Sequence, residues 1–326
     1  MTQILRWGLL GTADINRALI PPLRLSKRNK LLAVASRSQQ KADAYARERK
    51  IKRAYGTYEA LLADPDIDVI YNPLPNALHA EWTIKAVEAG KHVLCEKPLA
   101  LSLAEVDAIA AAAQRENKVV SEAFVYRSHP QALKVKQLID SGELGKIKIV
   151  RGSFTYPDTS PDNYRLKPEM GGGGLWDIGC YPINYMRTML AMEPAEVFGW
   201  QVIGPTEVDE VFVAQMRFPG DVFTQFDCST VIPYHVFMEF IGDLATLVIP
   251  NPFIPGPIRS LYLVKNGKSK MISVKGPDNY ITEVENMADA ILLGQPPAVS
   301  LADSRKNIAA ILALFESAKT GKPVRL

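Results

Sequence analysis

Through roughly the first 125 residues, short apolar runs alternate with longer amphipathic stretches. Residues 5–10, 31–36, 69–72, 92–95 and 119–121 are patterned as buried strands. Residues 15–25, 39–48, 58–62, 77–89 and 103–116 place apolar side chains at helical spacing between them. Ser102 stands where it can cap the last of these helices, and the 77–89 segment stops at Gly90. This succession predicts a doubly wound parallel sheet with helices on both faces.

After about residue 124 the texture changes. A helix is predicted over 129–139, ended by Ser141-Gly142, then a strand over 147–156 and a glycine-led helix over 171–190. Six β-patterned runs follow, at 197–203, 211–218, 222–229, 235–241, 244–249 and 261–264. Pro219-Gly220, Gly242 and the prolines of 250–257 punctuate them, and no helical pattern breaks the series. That predicts a large, mostly antiparallel, meander-like open sheet. Closing helices are expected over 279–293 and 300–317, packed on one half or the other. The expected fold is thus α/β plus α+β, with domains at 1–124 and 125–326.

Composition narrows the class without naming a function. The chain has 326 residues, 47% apolar and 22% charged, with a net charge of +3, which suits an ordinary soluble protein and no polyanionic partner. The clusters Lys27-Arg28-Lys30 and Lys50-Lys52-Arg53 are short and fall near helix ends, as solvated surface does. Cys95, Cys180 and Cys228 have no metal-ligand spacing, and only four histidines are present, so no metal site is expected. The first residues lack a basic-then-apolar signal, and no apolar run approaches the ~20 residues that span a bilayer. A cytoplasmic protein that binds neither nucleic acid nor membrane is expected.

The candidate chemistry sits at strand ends. Gly11-Thr12-Ala13-Asp14-Ile15-Asn16 joins the first strand to the first helix. Only Gly11 meets the glycine fingerprint strictly; Ala13 is small and Asn16 departs from it. In this strand–turn–helix context a helix amino terminus can hold a pyrophosphate, though a tight structural turn is the plainer reading. The second strand ends in Ser36-Arg37 with no acid to grip ribose hydroxyls. Arg37, with Lys41 a turn away, can hold a 2′-phosphate, which favours NADP over NAD; otherwise Arg37 closes a loop. Asn72-Pro73-Leu74-Pro75-Asn76 closes the run 69–72, where Pro73 stiffens the connection and Asn76 can cap the next helix. His79 faces either the cleft or solvent. Glu96-Lys97-Pro98 follows the run 92–95, so Lys97 lies at a carboxyl strand end, where open α/β sheets bind ligands.

A second constellation runs from Gly171 to Asn184, four glycines leading into a helix. Asp177, Tyr181 and Asn184 fall at i, i+4 and i+7 and share one face. They form either a buried hydrogen-bond network or a sugar-binding and catalytic face.

Together the GTADI turn, the NPLPN segment, the CEKP sequence and the GGGGLWDIGCYPI helix resemble the Gfo/Idh/MocA family of NAD(P)-dependent oxidoreductases, in order and over nearly the whole chain. In that family the later helix often carries a histidine and a second aspartate where this chain has Tyr181 and Asn184. The departure argues against the inositol dehydrogenase branch. It resembles the branch containing glucose–fructose oxidoreductase, dimeric dihydrodiol dehydrogenase and NADP-dependent D-xylose dehydrogenases. The segment from Glu122 to Pro130 is also similar to that branch and places Arg127 along the cleft.

The resemblance implies an NAD(P)-binding first domain, with Gly11 to Ile15, Ser36, Arg37, Lys41, Pro73, Asn76, His79, Glu96, Lys97 and Arg127 toward the cofactor. It also implies a second domain for substrate binding and assembly, and a Lys–Tyr pair for proton chemistry. Tyrosine titrates near ~10 unperturbed. An ammonium about 4 Å away, at an effective dielectric near 20, favours phenolate by roughly 4 kcal/mol, or about three pK units. Lys97 would so activate Tyr181, with Asp177 anchoring a neighbouring hydroxyl. The expected reaction is aldose or dihydrodiol oxidation; ketosugar or dicarbonyl reduction, a retained cofactor and a non-catalytic NADP sensor are the alternatives. The open sheet predicts a homodimer or higher homo-oligomer.

Overall fold

The computed structural model describes residues 3–158 and 163–326. The chain divides into two compact units, Met1–Ser128 with Asp278–Arg305, and His129–Pro277 with Lys306–Leu326.

The first unit is built on a six-stranded sheet in the order β3-β2-β1-β4-β5-β6, every neighbouring pair parallel. The strands are β1 (Leu5–Leu10), β2 (Asn29–Ala35), β3 (Arg53–Tyr55), β4 (Val69–Asn72), β5 (His92–Cys95) and β6 (Val120–Glu122). The order reverses between β1 and β4, the switch point at which doubly wound sheets take dinucleotides. Between the strands run α1 (Asn16–Leu25), α2 (Gln39–Glu48), α3 (Tyr58–Leu62), α4 (His79–Glu88) and α5 (Leu103–Arg115). Ser102 does cap α5, through a reciprocal box with Glu105. β3 escapes the hydrophobic pattern because its three residues are only half-buried. Arg53 fixes it instead, by ion pairs of 2.7 Å to Asp64 and Asp66.

Later in the chain, α8 (Asn279–Leu293) completes this unit. Its Val284, Met287 and Ala288 join Trp7, Leu19, Leu23, Val34 and Tyr71 in one buried cluster. Arg28 pairs with Asp289 on α8 at 2.6 Å. Full burial of side chains such as Val284 and Met287 stabilises by roughly 1.5–3 kcal/mol each.

The second unit holds α6 (Pro130–Asp140), α7 (Cys180–Leu190) and a nine-stranded sheet. Its strands are β7 (Ile147–Thr155), β8 (Glu196–Ile203), β9 (Asp209–Phe218), β10 (Val222–Ser229), β11 (His235–Gly242), β12 (Thr246–Pro250), β13 (Ile258–Lys265), β14 (Lys268–Lys275) and β15 (Val324–Arg325). The order β14-β13-β12-β11-β7-β10-β9-β8-β15 corrects the expected meander. β7 slides between β10 and β11, parallel to the first and antiparallel to the second. Its partners lie 70 or more residues later, so no local pattern reveals the insertion. β14 was not expected either: its alternate lysines leave it mostly exposed, a common defence of an edge strand.

One face of this sheet buries Val150, Phe154, Phe212, Ala214, Met216, Phe226 and Cys228. The opposite face presents Phe223 opposite Ile149 and Trp200 opposite Val213, all 36–54% exposed. The last helix, α9 (Leu301–Thr320), begins in the first unit and ends in the second. No helix among the described residues is long and apolar enough to cross a membrane.

Candidate active site

In the first unit the β1–α1 turn is shaped by two residues. Gly11 takes a φ of +112°, a region that side-chain-bearing residues avoid, and its N–H donates to the Ala35 carbonyl at 3.0 Å. Asn16, the residue that breaks the glycine fingerprint, is fully buried and donates from Nδ2 to the Gly11 carbonyl at 2.9 Å. The side chain therefore braces the turn that a third glycine would only leave open. No side chain caps α1, and its first turn carries no acid. A helix end of that kind fits an anionic pyrophosphate. Thr12, Ala13 and Ile15 are half-buried in the turn, while Asp14 is exposed and paired with Arg17 at 3.2 Å.

Ser36 is buried at the end of β2, and Arg37 beside it is exposed. Arg37 lies near enough to Tyr58 to pull that phenol down against the upward push of burial. The Tyr58 hydroxyl in turn stands beside Gly11, 3.9 Å from where a Cβ would project. Arg37 and the Gly11 turn thus share Tyr58 as a neighbour. Lys41 is exposed in the first turn of α2.

The β4 and β5 ends are cross-braced. Asn76 does not cap the next helix: it starts a single 3-10 turn, Asn76–Leu78, and α4 begins after Leu78 with no side-chain cap. His79, expected toward cleft or solvent, is wholly buried. Its ring nitrogens lie 2.7 Å from the carbonyls of Leu74 and Pro98. Burial pulls it down to about 4, so the ring is neutral and donates to one of the two carbonyls. It ties the Pro73 loop to the Lys97 loop. Glu96 accepts from the Tyr71 hydroxyl at 2.5 Å and from the Lys97 N–H at 3.3 Å, which fixes the backbone from which Lys97 projects. Glu283 on α8 shares this neighbourhood; both of its oxygens are buried without a donor, and burial beside Glu96 pushes its carboxyl well up. Arg127 donates to Asp303 at 2.6 Å and to the Ala298 carbonyl at 2.9 Å, anchoring the segment that precedes α9.

The second unit carries the other constellation. The glycine-led segment is not one α-helix: Leu175–Gly179 is a π-helical turn, and α7 follows from Cys180. That wider turn shifts Asp177 relative to Tyr181 from its place in an uninterrupted α-helix, as such bulges do at functional sites. Asp177 is buried, accepts from the Tyr156 hydroxyl at 2.7 Å and forms an ion pair of 2.9 Å with Arg165. Tyr156 and Arg165 are partners that sequence reading missed, since their acid lies 12 to 21 positions away with no periodic relation. Burial and the Asp177 charge push the Tyr156 phenol up.

Tyr181 is 6% exposed, with its ring against Phe154 (centroids 5.5 Å apart) and Phe253 (5.6 Å). Asn184, one turn further on, is fully buried. Sugar recognition is expected from the loop side chains around residues 156–164 and 232–235, and residues 159–162 of the first lie outside the described residues.

Comparison with known proteins agrees with both units. Residues 5–124 match the model described as oxidoreductase family, NAD-binding Rossmann fold. Residues 132–248 match the GFO/IDH/MocA C-terminal domain. D-xylose 1-dehydrogenase (NADP(+)) 2 of Haloferax volcanii is 34% identical over 330 residues, covering 98% of this chain and 99% of that one. Trans-1,2-dihydrobenzene-1,2-diol dehydrogenase of Xenopus laevis is 30% identical over 310 residues, covering 92% and 93%. Among solved structures, a 3-ketoreductase from Actinomadura kijaniata in complex with NADP and TDP-benzene superposes with a TM-score of 0.91 at 28% identity, over 97% of this chain and 98% of that one. Two domain matches in sequence order and end-to-end similarity to such relatives lead to one conclusion: the chain belongs to the Gfo/Idh/MocA family of NAD(P)-linked oxidoreductases.

Proposed function

We propose that the protein is an NADP-dependent dehydrogenase of a sugar-like alcohol, with Tyr181 as the acid/base and Lys97 as the residue that activates it. The carrying observation is the buried polar face of the Leu175–Leu190 segment, where a charged Asp177 and a phenol lie among apolar side chains. The full-length similarity to an NADP-linked D-xylose dehydrogenase supports an aldose as substrate. Bound nicotinamide would accept the hydride in oxidation and return it in reduction. Tyr181 takes the hydroxyl proton as the carbon–oxygen double bond forms, and gives it back in the reverse direction. Asp177, held by Tyr156 and Arg165, accepts from an adjacent substrate hydroxyl. An anomeric carbon so oxidised becomes a lactone. A spectrophotometric panel of aldoses, dihydrodiols and dicarbonyls with both coenzymes tests the reading; absence of turnover with all of them would leave an NADP-binding sensor.

A carbonyl reductase is the second reading, favoured by the likeness to the 3-ketoreductase. Running the panel in both directions separates the two, and cofactor that survives desalting marks one retained between turnovers.

Arg37 supplies the coenzyme preference in this reading. Arg37→Ala is expected to raise KM for NADP at least about tenfold, by loss of a charge-assisted contact, and to leave KM for NAD nearly unchanged. Equal effects on both coenzymes would remove the assignment.

The open sheet face supplies the assembly. Phe223 beside Ile149 and Trp200 beside Val213 leave two apolar pairs exposed on this face, with Gln215 and Gln225 between them, and exposed apolar surface is what assembly interfaces use. A second copy laid face to face would cover it. Phe223→Glu is expected to yield monomers in sedimentation where the parent sediments as a dimer or larger; a monomeric parent would refute the interface.

A further inference from the structure

The segment that carries Asp177 and Tyr181 starts on a carboxylate borrowed from a distant strand. Asp209, the first residue of β9, is 3% exposed. Its Oδ2 accepts from the Leu175 N–H at 2.6 Å, and the Gly174 N–H also points at the carboxylate. A Cβ on Gly173 would fall 2.0 Å from Oδ1, and Gly173 holds a φ of +109°. The third glycine of the run is therefore the space that this carboxylate occupies. No side chain of the segment itself caps the π turn. Asp209 accepts from its Leu175 N–H instead, from 34 positions away. Asp177 lies two residues beyond Leu175, and Tyr181 one turn further.

We infer that Asp209 is a positioning residue for the reaction: its carboxylate clamps the Gly174–Leu175 turn and thereby sets where Asp177 and Tyr181 stand. The inference rests on the function proposed above, which gives those two residues their roles. It goes further in making the ionisation of Asp209 a control on the site. Burial pushes the Asp209 carboxyl up to about 7, against the downward pull of three N–H groups, those of Leu175, Asp209 itself and Gly174. The titratable neighbour facing it is the Cys228 thiol of β10, itself pushed well up; Cys180, Asp227 and Asp177 lie around that thiol. The described ion pairs give Asp209 no cation, so backbone N–H groups are what holds its charge.

The two signs are opposite. A neutral acid accepts more weakly at a helix amino terminus than a carboxylate does. Turnover should therefore rise as pH passes up through about 7. Stability goes the other way. The folded value lies above the ordinary 3.8, so the protein gains from the bound proton at low pH and loses that gain as pH rises from about 4 toward 7. A merely structural cap would move stability alone.

Amide hydrogen exchange of the intact wild-type chain between pH 5.5 and 8.5 is the first measurement, because it needs no variant. Protection of Leu175 and Gly174, corrected for intrinsic rates, is expected to fall at least about tenfold across the midpoint, because opening takes the raised carboxyl into water where it ionises. Flat protection overturns the inference. Asp209→Asn is the second, since the amide keeps one acceptor and cannot ionise. It should lower kcat about tenfold, leave KM for NADPH within twofold and remove the limb near pH 7 from the kcat profile. A limb that persists in Asp209→Asn also overturns it. Should the clamp titrate in exchange while kcat ignores it, Asp209 is a cap and nothing more. A normal turnover in Tyr181→Phe would instead sink the function and leave the exchange result standing.

Discussion

Tyr181→Phe is expected to cut turnover at least about a hundredfold, the low end of what one positioned acid/base contributes, while NADPH still binds. The substitution removes a single oxygen. Its ring remains against Phe154 and Phe253, so the packing that orients the helix is preserved. The cofactor turn around Gly11 and Asn16 belongs to the other compact unit. NADPH fluorescence should therefore titrate as in the parent, and the loss should fall on kcat. Turnover within a few-fold of the parent would transfer the base to another group, with Asp177 the next to examine.

Lys97→Met carries the second large effect and a sharper signature. Methionine keeps the length of the stem and deletes the ammonium. If that charge holds the phenol of Tyr181 down, the acidic limb of the oxidative kcat/KM profile should move up by about three pH units. At neutral pH that corresponds to a loss of roughly a thousandfold in the oxidative direction, partly recovered in strongly alkaline buffer. A loss of the same size with no displacement of the limb would give Lys97 a binding role only. The loop itself should survive, because Glu96 is held by Tyr71 and His79 braces the neighbouring backbone without help from the lysine side chain.

Much of this architecture was legible because local pattern and tertiary role coincide. β1, β4 and β5 end where the apolar runs end, and the residues proposed for chemistry sit just past those ends. The rest was hidden wherever structure depends on partners remote in the chain. β7 gives no local sign that two later strands will flank it. The π turn at Leu175–Gly179 looks like ordinary helix, since it is made by packing and not by composition. Asn16 looked like a defect in a glycine motif until its amide was seen to hold the Gly11 carbonyl. Tyr156 and Arg165 stand on a strand end and a loop with no spacing relation to Asp177, so only the folded chain pairs them. His79 and Asn76 were misjudged together, because a 3-10 turn delays α4 and rotates the histidine inward.

The completion of the first unit by α8 bears on how this protein is made. A ribosome releases β1 to β6 long before it reaches Val284 and Met287, so Trp7, Leu19 and Tyr71 must wait with part of their cover missing. A fragment stopped at residue 128 would stay in that unfinished condition permanently. It should behave as a sticky, protease-sensitive chain, whereas the same fragment with residues 278–305 supplied through a short linker should become a well-behaved nucleotide binder.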